Sequence, residues 1–286
     1  MNHQSFQFVD SAQMRVPDID WDGGFDRHWF DGNPVVTHAF NALSLFFPQA
    51  ERFFIESARE VSAGISVKLD PALTLAVQHF VTQEATHTAQ HKKYNAILVR
   101  QGFENAVFDV AEKRQGLYKK HFSPLTRLAL VCGYEHFTAI LGHFALSNPD
   151  LLKTAAPEMA LLWGWHAAEE IEHKAVCFDL YRAASGGWLR RVLAFILATV
   201  DFFSLFGRNY FHLLKRDGCL SVRQLPKSLF QFSKFFFGRR GVAWFLVGYG
   251  VRYLSPWFHP WHLNNQDKLQ TWLATNEHQL RLGSRH

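Results

Sequence analysis

Two copies of the pattern Glu-x-x-His constrain this chain more than any other feature of its sequence. The first copy is Glu84–His87 and the second is Glu170–His173. Residues three positions apart lie on one face of an α-helix, so each copy can offer a carboxylate oxygen and an imidazole nitrogen to the same metal ion. One such pattern is common on solvated helix faces, whereas two copies in one chain favour a shared metal site.

Glutamates on two further helical segments complete a ligand set. Glu51 lies in the first segment and Glu135 in the third. Each of them would be costly to bury in an apolar helix face unless it were paired or bound to a metal. Single glutamates from two helices and Glu-x-x-His from two others form the ligand set of di-iron carboxylate bundles. We therefore predict a two-metal site made of Glu51, Glu84, His87, Glu135, Glu170 and His173.

Nearby residues leave two questions open about this set. Glu56 lies five residues after Glu51 and could replace it. His166 precedes Glu170 by about one helical turn, where it is either a third histidine ligand or a donor that orients Glu170. His91 lies one turn beyond the first Glu-x-x-His, where it is either a ligand or a bundle-lining or exposed histidine.

Helix phase excludes two further acidic residues from the predicted site. Glu169 and Glu172 flank Glu170, and rotation of about 100° per residue turns them away from the ligand face. We expect both carboxylates to be solvated or to form ion pairs.

Four long helical segments carry the predicted ligands, at about 36–63, 71–100, 124–146 and 157–184. Asp70-Pro71 and Ser123-Pro124 are typical of helix N-termini, and Gly186-Gly187 ends the last segment. Pro48 lies inside the first segment and is expected to split or kink it. A shorter helix is expected at 106–119, and no segment alternates as a strand does. The predicted fold is all-α, a ferritin-like four-helix bundle with an additional helical C-terminal region.

The composition divides the chain into three predicted parts. Residues 1–33 are expected to be an irregular N-terminal segment, 34–187 the di-metal bundle, and 188–286 a helical region rich in basic and aromatic residues. Between Trp188 and His262 the chain has 11 Lys and Arg but only 2 Asp, although the net charge of the whole chain is +5. This balance suggests contact with a membrane surface or a lipid-like molecule, and simple packing onto the bundle is the alternative.

The same region helps to define the expected partners and location. Its apolar runs, 192–206 and 241–249, are shorter than the roughly 20 residues that a membrane-crossing helix needs. No nucleic-acid-binding motif accompanies its positive charge. The three cysteines form no CxxC pair, and the N-terminus has no secretory pattern. We expect a cytoplasmic protein, with peripheral contact at the inner face of the membrane as a further hypothesis.

Several segments also resemble a known family. They are Phe40–Ser44, Phe47-Pro48 with Glu51, Glu84 with His87, Glu135–Ala139 and Trp163–Lys174. Together they resemble the predicted metal-dependent hydrolase family of bacteria over about residues 20–260, and this resemblance implies metal-dependent hydrolysis. The spacing of His166, Glu170 and His173 is also similar to the extra-histidine pattern of di-iron arylamine N-oxygenases, which implies oxygen chemistry instead.

The sequence favours a di-iron oxidase or oxygenase that acts on a small organic substrate, with a lipid-like molecule as one class. Glu84 and Glu170 would bridge two iron ions. Glu51 and His87 would complete one iron, and Glu135 and His173 the other, with His166 as its further candidate. Manganese or zinc could occupy the same ligands. The alternatives are a hydrolase that uses a water activated by two metals, and a non-catalytic iron-binding bundle.

Overall fold

The structure, a computed structural model, describes residues 15–64 and 69–282. Its helices are α1 (Pro34–Gly64), α2 (Pro71–Arg100), α3 (Phe108–His121), α4 (Pro124–Ser147), α5 (Pro149–Lys153), α6 (Pro157–His173), α7 (Val176–Ala183), α8 (Trp188–Arg216), α9 (Leu225–Phe237), α10 (Val242–Arg252) and α11 (Gln266–Asn276). Short 3₁₀ helices lie at Pro260–His262 and Glu277–Gln279. The prediction of an all-α fold is confirmed. Two short antiparallel strands that the sequence did not predict, β1 (Arg15–Pro17) and β2 (Leu280–Leu282), join the two ends of the described chain.

Local sequence explains where the long helices begin. The carboxylate of Asp70 accepts a hydrogen bond from the Ala72 amide at 2.8 Å, and Ser123 accepts one from the Thr126 amide at 3.3 Å. In both cases the next residue is proline, whose fixed φ suits the first turn and whose missing N–H would have had no helical partner there. These capping residues therefore position α2 and α4, which carry three of the predicted ligands.

Pro48 does not divide the first helix, which continues from Pro34 to Gly64. Proline removes the hydrogen bond to the carbonyl four residues earlier, which here belongs to Ser44. The Asn95 side chain on α2 donates to that carbonyl at 2.8 Å and so replaces the missing bond. Asn105 donates in the same way to the Leu45 carbonyl at 2.6 Å. The expected split is therefore wrong, because side chains from outside the helix satisfy these carbonyls, and the alternative of a kink at Pro48 stays a prediction.

The helices that carry the predicted ligands pack against one another. α1 lies along α2, and α4 packs on α1, α6 and α7. A Cβ atom at Gly142 of α4 would lie only 2.8 Å from the Ala167 carbonyl of α6, so glycine permits this close approach. α8 covers α1 and α4, and α9 and α10 pack on α1 and α4 respectively. These contacts agree with a bundle that is extended by C-terminal helices.

The last predicted bundle helix is interrupted. Residues 157–184 were expected to form one helix, but α6 ends at His173 and α7 begins at Val176. Lys174 is buried at the break, and its Nζ donates to the Leu263 carbonyl at 2.7 Å and to Asn265 Oδ1 at 2.6 Å. The break thus turns a lysine toward the C-terminal segment, which a helical periodicity could not indicate.

None of the helices in residues 15–64 and 69–282 has a stretch that is both long and apolar enough to span a bilayer.

Candidate metal centre

The predicted ligands come from four helices and converge in the interior. Each has at most 5% of its surface exposed: Glu51 on α1, Glu84 and His87 on α2, Glu135 on α4, and His166, Glu170 and His173 on α6. The helical spacing of each Glu-x-x-His pair directs both of its side chains to the same side of their helix. The structure therefore brings together all seven residues that the sequence singled out.

One group of four residues surrounds a point near α4. Glu84, Glu135, Glu170 and His173 each offer an atom that lies within 4.8 Å of the atoms from the others. The Nε2 atom of His173 lies 3.2 Å from a Glu84 oxygen, 3.5 Å from Glu135 and 3.4 Å from Glu170. Three carboxylates and one imidazole that face one another in this way suit the coordination of one divalent cation.

A second group lies beside the first. Glu51, Glu84 and His87 offer atoms within 4.8 Å of one another, and so do His87, His166 and Glu170. The Nδ1 atom of His87 lies 3.7 Å from Glu84 and 3.6 Å from Glu170. Glu84 and Glu170 belong to groups on both sides, which is the position that a bridging carboxylate requires.

The polar atoms of the cluster have few partners within the protein. The following buried atoms accept or donate no hydrogen bond: Glu51 Oε1, both oxygens of Glu84, both oxygens of Glu135, Glu170 Oε2, His87 Nδ1 and His173 Nε2. Each buried polar atom that stays unpaired costs about 1–3 kcal/mol. Two divalent cations would bind these atoms and balance the charge of four carboxylates. The donor set therefore fits a pair of metal ions.

The pKa values of the four glutamates differ from the ordinary value because the carboxylates are buried close to one another. Burial raises the pKa of Glu51, Glu84 and Glu135 above the ordinary value for glutamate, and nearby carboxylates raise them further. Burial also acts to raise the pKa of Glu170, but His173 and His166 outweigh it and hold that pKa well below its usual value. Four glutamates in this space cannot all be ionised without added positive charge.

The extra histidines form a chain that ends at the cluster. His166 Nε2 lies 3.1 Å from a Glu170 oxygen, and its Nδ1 lies 3.0 Å from His91 Nε2. His91 Nδ1 in turn contacts Ser44 Oγ at 2.9 Å, and His91 is completely buried. His91 is therefore not an exposed histidine. His166 keeps both of its predicted roles, because the same nitrogen that faces Glu170 could instead face a metal.

Glu56 does not compete with Glu51 for the cluster. Glu56 is exposed and pairs with Lys119 on α3. Glu51 is buried, and its Oε2 accepts a hydrogen bond from Thr88 Oγ1 at 2.8 Å, which leaves Oε1 directed elsewhere. Of the two candidates on α1, the structure brings only Glu51 to the other ligands.

Sequence reasoning missed residues that hold the ligands in place. Glu169 is completely buried, and its Oε2 accepts from His87 Nε2 at 3.1 Å, on the ring edge away from the cluster. Gln83 Oε1 lies 3.3 Å from His173 Nδ1. Carboxylates and amides in such positions fix the orientation and tautomer of metal-binding histidines. Of the two outcomes expected for Glu169, ion pairing is therefore correct and solvation is wrong, and Glu172 pairs with Arg15.

A small cavity of about 10 Å³ borders the cluster. Glu51, His166 and Glu170 form part of its wall, and Phe47 and Phe202 are among the aromatic residues that face them. A space of this size is close to the minimum that holds one water molecule. The cluster therefore has room beside it for about one water-sized group.

Comparison with known proteins identifies the family. The model of the predicted metal-dependent hydrolase family matches residues 13–264, which include the whole cluster. Comparisons with curated proteins and with solved structures give no match. Because the match covers most of the chain, this protein belongs to the predicted metal-dependent hydrolase family.

Proposed function

We propose that this protein is a hydrolase with a centre of two metal ions. The observation that carries the proposal is the set of buried carboxylate and imidazole atoms that face one another without hydrogen-bond partners. Membership of the family supports hydrolysis as the class of reaction. In this proposal the bridging ligands are Glu84 and Glu170, and the terminal ligands are Glu51 and His87 at one ion and Glu135 and His173 at the other.

Two such ions would lower the pKa of a water held between them, so that it could attack an ester or amide at neutral pH. His166 faces both the cluster and the small cavity. Burial, and then the nearby His87, lower the pKa of His166 to about 4, so its imidazole is neutral at pH 7. A neutral imidazole can bind a metal, and this role suits the position of His166. The same low pKa makes His166 a weak general base at pH 7.

The aromatic wall of the small cavity supports the same proposal. Phe47 stacks on the His166 ring with centroids 5.1 Å apart, and Phe54 and Phe202 lie on the same wall. These side chains limit the bulk water that reaches the cluster. They would surround a substrate carbonyl oxygen in this space with apolar side chains and so strengthen its electrostatic contacts with the centre.

Anaerobic metal reconstitution tests hydrolysis directly. The metal-free protein would be loaded with Zn²⁺, Mn²⁺ or Fe²⁺, and the release of acid from simple amides and esters would be followed without O₂. Because zinc has no redox chemistry, we expect the zinc protein to be active under these conditions. Turnover only with iron and only in the presence of O₂ would contradict the proposal.

That contrary result would favour the second candidate, a di-iron oxidase or oxygenase. The observation behind it is the ligand set itself, since four glutamates with two or three histidines suit iron as well as zinc or manganese. Its test is stoichiometric O₂ consumption by the Fe(II) protein, coupled to oxidation of an added organic substrate. Tight iron binding without either reaction would indicate the third candidate, a non-catalytic iron-binding bundle.

We also propose a cytoplasmic location with peripheral membrane contact. Cys132, Cys177 and Cys219 are all free in the structure, which agrees with a reducing compartment. The helices α9 and α10 expose large apolar side chains beside basic ones, and this combination suits the surface of an anionic membrane.

A further inference from the structure

We propose that a second, larger cavity binds a single aliphatic chain with a small polar head group, and that it is the substrate channel of this protein. The cavity has a volume of about 360 Å³, within the range of small-molecule sites. Its role as a substrate channel rests on the proposed hydrolytic function, whereas its ability to bind an aliphatic chain does not.

The cavity lies between the surface and the residues of the metal centre. Its inner wall includes Phe47, Thr138 and His166, which also line the small cavity beside the glutamates. Its outer wall includes Phe237 of α9 and Val247 of α10, which are 55% and 61% exposed. A molecule that enters between these helices would therefore reach His166 with its leading end.

The chemistry of the wall selects an apolar occupant. Aromatic and aliphatic side chains form almost all of it, and its hydroxyl and imidazole groups are already engaged. Thr138 donates to the Glu135 carbonyl at 3.0 Å, Tyr210 donates to the Val35 carbonyl at 3.2 Å, and His166 contacts His91 and Glu170. A polar group placed along this wall would lose its water and find no partner. An alkyl chain would lose nothing and would gain about 0.8 kcal/mol for each buried methylene.

The size of the inner cavity limits the head group. Beyond His166 there is space of only about 10 Å³ beside Glu51 and Glu170. This is room for about one water-sized atom, such as the carbonyl oxygen of a primary amide or a methyl ester, whereas the phosphodiester head of a membrane lipid is far larger. In the reaction, the oxygen of water bonds to the acyl carbon and the C–N or C–O bond breaks. The leaving ammonia or methanol takes up a proton, and the other product is a fatty acid.

Two glycines provide a matched pair of variants. Gly207 of α8 lines the large cavity, and a Cβ atom there would meet nothing within 4 Å, so a larger side chain would enter the open space. Gly248 of α10 also has nothing within 4 Å of its Cβ position, but it does not line the cavity. Gly207→Phe should fill the channel without distorting α8, and Gly248→Phe controls for the change of glycine to phenylalanine in a helix.

The experiment is a fluorescence titration of the purified full-length chain with cis-parinaric acid, a single-chain polyene fatty acid. We expect saturable binding to the natural protein and to Gly248→Phe, and at least about tenfold weaker binding to Gly207→Phe, which corresponds to the loss of about two buried methylenes. The absence of saturable binding to the natural protein would overturn the inference. Equal affinity in all three proteins would overturn it as well.

Competition tests the head group and the direction of entry. A long-chain primary amide should displace the probe, and a lysophosphatidylcholine of equal chain length should not. Equal displacement by both would show that the tail enters first, and it would overturn the small-head-group assignment.

Binding of a chain needs no turnover, so chain binding without hydrolysis would refute the proposed function alone. Metal-dependent hydrolysis without an effect of Gly207→Phe on binding would refute the channel alone.

Discussion

Glu135 is the sharpest single-residue test of the proposed centre. It is 1% exposed, and neither of its oxygens has a hydrogen-bond partner in the protein. Glu135→Gln keeps the shape of the side chain but removes its charge, so we expect metal content after loading to fall from about two ions per chain toward one. Elemental analysis of the desalted protein measures this. Glu56→Gln, which changes an exposed glutamate on α1, should keep the full metal content.

Glu169 tests whether ligand orientation matters. Its contact with His87 Nε2 should hold the ring so that Nδ1 faces the cluster. Glu169→Gln should therefore weaken metal binding by about 10–100-fold, the usual effect of losing such a partner. A chelator competition titration measures the affinity, and Glu158→Gln on the exposed side of the same helix is the control. Equal affinities for the two variants would mean that the His87 contact is not important for binding.

At the residue scale, the sequence predicted which acidic residues and histidines cluster better than it predicted the side chains that support them. The ligands follow from spacing, because two Glu-x-x-His pairs and two isolated glutamates leave few other arrangements. The support from Glu169 depends on how α6 is rotated against α2, since its partner lies 82 positions away in the chain. The sequence near Glu169 does not determine how α6 is rotated relative to α2. The same applies to Thr88 and Gln83, whose partners are on other helices.

Among the elements, the continuity of α1 past Pro48 depends on the Asn95 side chain of α2. Asn95→Ala would leave the Ser44 carbonyl beside Pro48 without its donor, and it would also remove the acceptor of the Ser44 hydroxyl. We expect a loss of about 1–3 kcal/mol in the free energy of unfolding, measured by urea denaturation. Pro48→Ala restores a backbone donor, so Asn95→Ala should cost less in that background. A cost that is the same in both backgrounds would show that the two residues are not coupled.

A buried histidine at the contact between α4 and α10 should make the free energy of unfolding depend on pH. Burial lowers the pKa of His143 from 6.5 to about 4, and its ring lies against Tyr249 of α10. Between pH 6.5 and 4 the unfolded chain binds a proton at this residue that the folded chain does not, so the free energy of unfolding falls as pH falls. His143→Phe keeps a ring but cannot titrate, so its stability should decline less over this window. Urea denaturation at several pH values measures this, and His121→Gln, at an exposed position, should leave the decline unchanged.

Element boundaries were predictable where capping residues set them. Asp70 and Ser123 begin their helices as expected, with side chains that accept backbone hydrogen bonds. The break after His173 was not predictable, because Lys174 is held by residues about 90 positions later in the chain. Helical periodicity continues across this break, so only the tertiary contact distinguishes one long helix from two.

On the scale of the whole molecule, the C-terminal helices complete the enclosure of the centre. α8 packs on α1 and α4, and side chains from α8, α9 and α10 form the outer part of the large cavity. The predicted boundary between a bundle at 34–187 and a separate region at 188–286 stays a prediction. In the proposed channel, residues 188–286 would cover the route to the proposed metal centre, whether or not they form a separate region.

The surface of the same region leads to the last prediction, peripheral binding to anionic membranes. Phe230 and Trp244 are 70% and 57% exposed, and Lys234, Arg239 and Arg240 are exposed between them. Each basic side chain that reaches an anionic surface adds about 1 kcal/mol, and aromatic side chains add apolar burial at the interface. We therefore expect co-sedimentation with phosphatidylglycerol vesicles at low salt, with weaker binding at high salt and little to phosphatidylcholine vesicles.

Paired variants distinguish binding through α9 and α10 from nonspecific adsorption by any exposed apolar side chain. Replacing both Phe230 and Trp244 by serine should release the protein from anionic vesicles. Serine at Val99 and Leu117, which are 53% and 55% exposed outside the C-terminal region, should not. The Phe230 and Trp244 variant should still bind parinaric acid in solution, because neither residue lines the cavity. Natural protein that stays in the supernatant with anionic vesicles at low salt would show that α9 and α10 cover the channel without contacting a membrane.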